Sequence, residues 1–276
     1  MAKIVVTGAT GFVGRALAAH LETLGLPVTR VTRQSLPGMH QVADYAESPA
    51  GDVTIHLAEE PDCSKVNRMG KAYLREASNV VRDLAGRSGR FIYASSGMVY
   101  GDENESACTV DMPVIGTDLY SQSKILNEKL VLEAGGAVVR LSNLYGNGMS
   151  ENTVISDIIK QIPGAGPVRV RDDRPVRDFL YVTDAVRAIG LMVANPCAGV
   201  LNIGSGIGTS IRTLAKLALR SVGEEARDIV ATQPSSRRSV NILDISETQR
   251  VLGWSPDASL EDQLGKFFRN GARFDG

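Results

Sequence analysis

The sequence has few residues of the types that build metal sites or disulfide frameworks. It has three cysteines and three histidines in 276 residues. These are Cys63, Cys108, Cys197, His20, His40 and His56. The cysteines form no pairwise spacing motif and the histidines form no H-x-x-x-H array, so we expect no metal site. Such isolated thiols are typical of buried side chains in a reducing compartment.

The sequence also lacks an excess of charge and a long apolar run. Lys and Arg together number 30 and Asp and Glu 31, which leaves no global field to attract nucleic acid or an anionic membrane. No stretch reaches the length of a membrane span, and the first residues, MAKIVVTGATG, do not form a secretion signal. We therefore expect a cytoplasmic protein without nucleic-acid or membrane partners, whose anion sites are local.

Short runs rich in Val and Ile alternate with longer segments of helical period. The predicted strands are KIVV (3–6), PVTRV (27–31), VTIHLA (53–58), RFIYASS (90–96) and AVVRLSN (137–143). Helical segments are predicted between them, including roughly 64–86 and 118–133. This alternation predicts an α/β fold, Rossmann-like and doubly wound, with a mostly parallel sheet covered on both faces.

Beyond residue 145 the alternation becomes irregular, with a Gly/Pro-rich segment at 162–167. We expect a dinucleotide-binding domain over residues 1–145, to which residues from about 178 to 204 return. The rest, about 146–177 and 205–276, is expected to form a smaller C-terminal substrate-binding lobe.

Three glycines follow the first predicted strand in the segment GATGFVG, which spans residues 8–14. Gly8, Gly11 and Gly14 stand between that strand and the first predicted helix. Glycine permits a tight turn and close backbone approach, and the N–H groups of a helix N-terminus bind a diphosphate. An ordinary strand-to-helix turn is the alternative. The position predicts that this loop, with Thr10, Phe12 and Val13, binds a dinucleotide.

The pattern G-x-x-G-x-x-G resembles the short-chain dehydrogenase/reductase family, especially its extended branch. Further segments follow in that branch's order: HLA (56–58), SSGMVYG (95–101), YSQSK (120–124), RLSNLYGNG (140–148), RDFLYVTDA (177–185), LNIGSG (201–206) and LGWSP (252–256). Together they span nearly the whole chain. The resemblance implies a Rossmann-like fold, a nicotinamide dinucleotide cofactor, and contacts to it from Leu57 and Ala58.

The residues after the second strand indicate which dinucleotide is bound. An acidic residue there would bind the adenosine ribose, whereas a basic residue suits a 2′-phosphate. The segment VTRVTRQ (28–34) has no carboxylate but contains Arg30 and Arg33. We therefore favour NADP(H), bound through Arg33, with NAD(H) as the alternative if both arginines are solvated surface residues. Asp44 resembles the family's adenine-contacting aspartate, with an ordinary loop carboxylate as the alternative.

Tyr120 stands four residues before Lys124, a spacing that places both side chains on one face of a helix. A free phenol titrates near pH 10, and an adjacent ammonium lowers that pKa by favouring the phenolate. We expect Lys124 to tune Tyr120 as an acid/base in this way. The resemblance implies that Lys124 also holds the nicotinamide ribose and that Ser96, rather than Ser95, hydrogen-bonds the reacting oxygen. The alternatives are a surface pair and a turn-capping hydroxyl.

Extended-branch enzymes mostly act on sugars carried on a nucleoside diphosphate. The resemblance implies that Asn143 binds the sugar nucleotide and Arg177 its diphosphate. It also implies a second arginine, Arg237 or Arg238, and we favour Arg238. A guanidinium binds phosphate oxygens bidentately, which gives the arginines a chemical reason to serve there.

The residues after Ser96 bear on the type of reaction. A 4,6-dehydratase of this family has an Asp-Glu pair there, where this chain has Gly97 and Met98. Dehydration is therefore disfavoured. The chain is short for this branch, and the absence of an acid after the second strand favours an exchangeable NADPH, so we favour reduction of a 4-keto nucleotide sugar over 4-epimerisation with tightly held NAD. A reductase of a non-sugar carbonyl and a non-catalytic dinucleotide-sensing protein are further alternatives. The family resemblance also makes a homodimer the default expectation.

Overall fold

The computed structural model describes residues 2–162, 164–269, 271, 274 and 275. Its strands, in chain order, are β1 (Ile4–Thr7), β2 (Val28–Thr32), β3 (His40–Gln41), β4 (Val53–His56), β5 (Arg90–Ser96), β6 (Ala137–Leu141), β7 (Asn143–Tyr145), β8 (Met149–Ser150), β9 (Val168–Val170), β10 (Val176–Tyr181), β11 (Gly199–Ile203), β12 (Gly208–Ser210), β13 (Ile229–Ala231), β14 (Val240–Asn241) and β15 (Phe274–Asp275). Its α-helices are α1 (Phe12–Thr23), α2 (Cys63–Met69), α3 (Lys71–Arg87), α4 (Leu119–Glu133), α5 (Val154–Lys160), α6 (Val182–Ala194), α7 (Ile211–Arg220), α8 (Ser246–Leu252) and α9 (Leu260–Arg269).

Seven of these strands form a parallel central sheet in the order β11-β6-β5-β4-β1-β2-β3. All four residues of β1 and of β4 are buried, because a central parallel strand is covered on both faces. The strand order reverses between β1 and β4, so the crevice at the carboxyl ends of these two strands is the expected ligand site. The predicted Rossmann-like, doubly wound fold is confirmed.

Alternate residues of the strands supply two cores, one on each face of the sheet. Ile4, Val6 and Ile92 pack with residues of α1 and α6 on one face. Phe91 and Tyr93 face the other way and pack with residues of α3 and α4. The two helix layers therefore hold the strand ends, and the loops between them, in fixed positions.

A second lobe has its own core, which includes Met149, Ile155, Leu214, Leu264 and Phe267. In this lobe β10 pairs with β7, β12 and β14, and β9 pairs with β13. The chain returns to the central sheet through α6 and β11, whereas β10 itself lies in the second sheet.

The helical region predicted over 64–86 differs in one respect, because it is two helices. Gly70 ends α2 with a φ of +74°, a conformation that glycine adopts without strain. Within the described part of the chain, no helix is both long and apolar enough to cross a membrane. The same residues contain no cluster of three or more His, Cys, Asp or Glu side chains that could hold a metal ion.

Candidate active site

The glycine loop connects the carboxyl end of β1 to the first turn of α1. Gly8 has a φ of +68°, and a Cβ there would lie 2.8 Å from the Leu57 carbonyl. A Cβ on Gly14 would lie 2.1 Å from the Gly8 carbonyl oxygen. Because neither position has room for a side chain, the loop packs closely against the end of β4 and the start of α1, and a helix N-terminus of this kind can bind an anion.

A cleft of about 390 Å³ lies beside this loop. It is lined by seven of the predicted cofactor residues: Gly8, Thr10, Gly11, Arg33, Asp44, Leu57 and Ala58. Phe12, Val13 and Gly14 lie in the first turn of α1, where Phe12 and Val13 pack against the central core and Gly14 is buried. The structure thus brings together the loop, the end of β4 and the segment after β2.

Arg30, in β2, and Arg33, directly after it, have different surroundings. The Arg30 guanidinium pairs with Glu22, with 2.6 Å between nitrogen and oxygen. Arg33 lines the cleft, and its guanidinium carbon lies 5.4 Å from the centre of the Tyr45 ring. Asp44 lies beside it and caps a short 3₁₀ turn by accepting from the Ala46 N–H at 2.8 Å. Of these two arginines, Arg33 is therefore the one that a phosphate in the cleft can reach.

Helix α4 places Tyr120 in its first turn. Asp118 is its N-cap, and its carboxylate and the Ser121 side chain form a reciprocal capping box. Asn67 of α2 accepts from the Tyr120 N–H at 3.3 Å and donates to Asp118 at 3.0 Å. Tyr120 is only 8% exposed, so its position is set by the cap and by packing.

The two serines at the end of β5 point to different partners. The Ser96 hydroxyl faces the Tyr120 phenol and acts to lower its pKa, and it accepts from the Met98 N–H at 3.2 Å. The Ser95 hydroxyl donates to Glu128 at 2.5 Å in a buried cluster. Ser96 is therefore the serine that meets the tyrosine.

Lys124 has a partner that the sequence analysis missed. Its ammonium lies 2.9 Å from the Glu59 carboxylate and donates to the Ala94 carbonyl at 2.8 Å. Glu59 also accepts from Tyr93 at 2.9 Å and from Asn127 at 2.8 Å. It directly follows the HLA segment at the carboxyl end of β4. An acidic residue at that edge of a parallel sheet was the signal that could have revealed it.

The expected lowering of the Tyr120 pKa is wrong for the protein without ligands. Burial raises the pKa of Tyr120 above its ordinary value, and the Lys124 ammonium only partly opposes this. The Lys124 ammonium also pairs with Glu59. The negative charge of Glu59, like burial, raises the pKa of Tyr120. At neutral pH the phenol is therefore protonated.

The predicted substrate residues lie in or near the second lobe. The Asn143 amide is exposed and donates to the Asp178 carbonyl at 3.1 Å. Arg177 donates to the Ser239 hydroxyl at 2.7 Å, and its guanidinium lies 3.6 Å from the Asp102 carboxylate. Both predicted substrate residues are thus already hydrogen-bonded to other residues of the chain.

The arginine that joins Arg177 is Arg237 rather than Arg238. Arg237 pairs with Asp102 at 2.7 Å and with Glu103 at 2.5 Å. Arg238 donates instead to the Glu105 carbonyl at 3.2 Å. Asp102, which no motif singles out, therefore connects Arg177 to Arg237.

Comparisons of the chain with known proteins agree on one protein family. The model of the NAD dependent epimerase/dehydratase family matches residues 4–204. GDP-6-deoxy-D-mannose reductase of Pseudomonas aeruginosa is 30% identical, over 95% of this chain and 94% of that protein. Its substrate name and those of the other relatives belong to nucleotide-sugar chemistry.

Two solved structures superpose on nearly the whole chain. RMD from Pseudomonas aeruginosa, complexed with NADPH, is 27% identical with a TM-score of 0.85, covering 98% of this chain and 99% of that one. MoeE5, in complex with UDP-glucose and NAD, is 25% identical with a TM-score of 0.83, covering 97% of this chain and 99% of that one. One neighbour therefore binds NADPH and another NAD. By the extent of the family match, the chain belongs to the NAD dependent epimerase/dehydratase family, within the extended short-chain dehydrogenases/reductases.

Proposed function

We propose that this enzyme reduces the 4-keto group of a nucleoside-diphosphate sugar with NADPH. The observation that carries the proposal is the meeting of Tyr120, Ser96 and Lys124 at the edge of the sheet that also holds the glycine-loop cleft. The name of the 30%-identical relative, GDP-6-deoxy-D-mannose reductase, supports the same class of reaction.

The residues of the cleft fit a nicotinamide dinucleotide. Gly8 and Gly14 let the loop pack closely beside the helix N-terminus, where a Cβ would clash with backbone atoms, and this suits a diphosphate. Arg33 would meet the 2′-phosphate of NADP(H). Lys124 uses two of its three N–H groups on Ala94 and Glu59, so it retains a donor for a ribose hydroxyl. The bound nicotinamide would supply the hydride.

Tyr120 supplies the proton in this proposal. A hydride adds to the carbonyl carbon of the sugar, and the carbonyl oxygen takes the proton from the Tyr120 hydroxyl to become an alcohol. Ser96, whose hydroxyl faces the phenol, would orient that oxygen. Solvent then reprotonates Tyr120, so that one ketone, one hydride and one proton yield one alcohol.

The surroundings of Gly97 support reduction over dehydration. A Cβ at this position would lie 3.1 Å from Leu243 and 3.2 Å from Asn241, whose amide donates to the Gly97 carbonyl at 2.8 Å. An acidic side chain for water elimination would require both neighbours to shift by a few tenths of an ångström. Gly97 is followed by half-buried Met98, which has no proton to exchange.

The nucleoside diphosphate is assigned to Arg177 and Arg237, with Asn143 at the sugar. Both guanidiniums converge on Asp102, so they are close enough to serve one anion. A diphosphate would share or replace this carboxylate as their partner. Arg238, favoured from the sequence, would then lie at the margin of the site. A homodimer and a cytoplasmic location are proposed from the family resemblance.

The first experiment is to denature the purified protein and identify any released nucleotide by mass spectrometry. The stripped protein is then titrated with NADPH and NADH and screened with 4-keto nucleotide sugars by following NADPH oxidation. We expect tighter binding of NADPH and turnover of at least one such sugar. Retained, poorly exchanging NAD would instead indicate a 4-epimerase.

Tyr120→Phe tests the assigned acid. It should reduce turnover by about 100-fold or more while changing the cofactor Kd by no more than a few-fold, because the ring remains and only the proton is lost. A variant that keeps most of its activity would contradict the mechanism.

A further inference from the structure

Glu59 forms a buried ion pair with Lys124. The two side chains are 7% and 8% exposed, and their charged atoms are 2.9 Å apart. The Lys124 nitrogen also lies 5.9 Å from the centre of the Tyr120 ring, so the ammonium that pairs with Glu59 is the one that acts on the tyrosine. Tyr93 and Asn127 both donate to Glu59, which fixes the carboxylate in place.

We propose that Glu59 is a positioning residue that holds Lys124 and offsets its charge, which adds to the burial that keeps Tyr120 protonated and poised to donate a proton. This inference rests on the proposed reduction, in which Tyr120 gives up that proton.

The other groups around the phenol do not supply a competing charge at neutral pH. The remaining titratable side chains that act on Tyr120 or on the pair are His56, Cys63, Tyr73 and Tyr93. Burial lowers the pKa of His56 to about 4, and raises that of Cys63 to about 11 and of Tyr73 to about 12. Burial also raises the pKa of Tyr93 well above its ordinary value. All four are therefore neutral.

Asp118, at the cap of α4, is the remaining nearby carboxylate to consider. It accepts hydrogen bonds from the Asn67 amide and from the Ser121 N–H, so its negative charge interacts with the N-terminus of α4. Besides burial, the formal charges that act on Tyr120 are thus those of Lys124 and Glu59. Burial acts to lower the pKa of Lys124, but the Glu59 carboxylate raises it above its ordinary value. The pair is therefore ionised.

The inference is tested on the protein without cofactor or substrate, with tyrosines labelled with ¹³C at Cζ. The NMR signal of Tyr120 is assigned as the one missing in Tyr120→Phe, and its conversion to the phenolate is followed against pH. In Glu59→Gln the Lys124 charge is no longer offset, so the conversion should occur at a pH lower by about one unit or more. Glu59→Asp, which keeps the charge, should move it back towards the wild-type value.

The matched control is Glu60→Gln, one residue further along the chain. This carboxylate pairs with Lys65 at 2.5 Å and is 20% exposed. The control should leave the Tyr120 titration unchanged. If Glu59→Gln does not fold, Glu59→Met removes the same charge with an apolar side chain. A Tyr120 signal that titrates as in wild type in the folded neutral variant, or that moves equally in the control, would overturn the proposal.

This result does not depend on the identity of the substrate. If no 4-keto sugar is reduced but the titration moves as expected, the proposed function fails and the role of Glu59 stands. If a sugar is reduced, the high-pH limb of kcat should also move to lower pH in Glu59→Gln. A limb that stays in place while kcat falls would show a structural role only.

Discussion

His56 is a buried histidine beneath the cofactor cleft whose protonation should control stability in mild acid. It is 2% exposed, its Nδ1 is hydrogen-bonded to Thr7 at 2.8 Å, and it stacks between Phe91 and Tyr93. Burial lowers its pKa from 6.5 to about 4. Since the folded-state pKa is lower than the unfolded one, protons bind the unfolded chain more tightly. The stabilisation is present above pH 6.5 and is lost as the pH falls towards 4.

The size of the effect follows from these two values. At about pH 5 the unfolded imidazole is almost fully protonated and the folded one is mostly neutral, so about 2 kcal/mol of the free energy of unfolding is lost relative to about pH 7.5. Urea unfolding at both pH values measures it. His56→Asn should lose about 2 kcal/mol less than wild type on the same change of pH, whereas the exposed His40→Asn should behave as wild type. An equal loss in wild type and His56→Asn would refute the reasoning.

Three further predictions concern the loop, a buried pair and the choice of cofactor. Gly14→Ala should weaken NADPH binding at least about tenfold in calorimetric titrations, because the new Cβ would overlap the Gly8 carbonyl and force the loop away from the helix. Gly86→Ala, where the new Cβ would lie in open space on α3, should leave NADPH binding unchanged. Arg140→Met should lower the free energy of unfolding in urea by about 3–5 kcal/mol, because Glu128 is left buried without its partner at 2.7 Å, and replacing Glu128 by Leu as well should recover much of this. Arg33→Asp should raise the Kd of NADPH about tenfold more than that of NADH, and equal effects on both would remove Arg33 from the 2′-phosphate site.

The central sheet could be predicted because its signals are local. Continuous apolar runs such as IVVT mark strands buried on both faces, and the segments between them have a helical period. The positions of the glycine loop, Ser96 and the Tyr120 helix follow from the same pattern, since the carboxyl ends of parallel strands meet at one edge. That edge is where the structure brings them together. The break at Gly70 was missed because a single glycine within a helical pattern is tolerated.

The pairing of charges could not be predicted in the same way. Glu59 meets Lys124, and Asp102 meets Arg177 and Arg237, across long separations in sequence. No spacing rule encodes such contacts, because they depend on how separate elements pack. The predicted lowering of the Tyr120 pKa considered only the residue four positions away. It left out burial, which has the largest effect on this pKa, and the Glu59 carboxylate that packing brings to Lys124.

One of these pairings makes partner exchange a feature of the proposed sugar-nucleotide site. Arg177 and Arg237 hold Asp102, so a diphosphate that binds them must compete with a carboxylate that is already part of the chain. Such an exchange stabilises the complex less than filling an unpaired site would, but it avoids a repulsive cluster of cations in the unliganded protein. Arg33 differs, because its guanidinium lies over the Tyr45 ring and its N–H groups can donate to a phosphate. We therefore expect the cofactor contacts to contribute more to binding affinity. The sugar-nucleotide contacts should contribute more to discrimination between ligands, because a ligand there must match the geometry of the carboxylate it replaces.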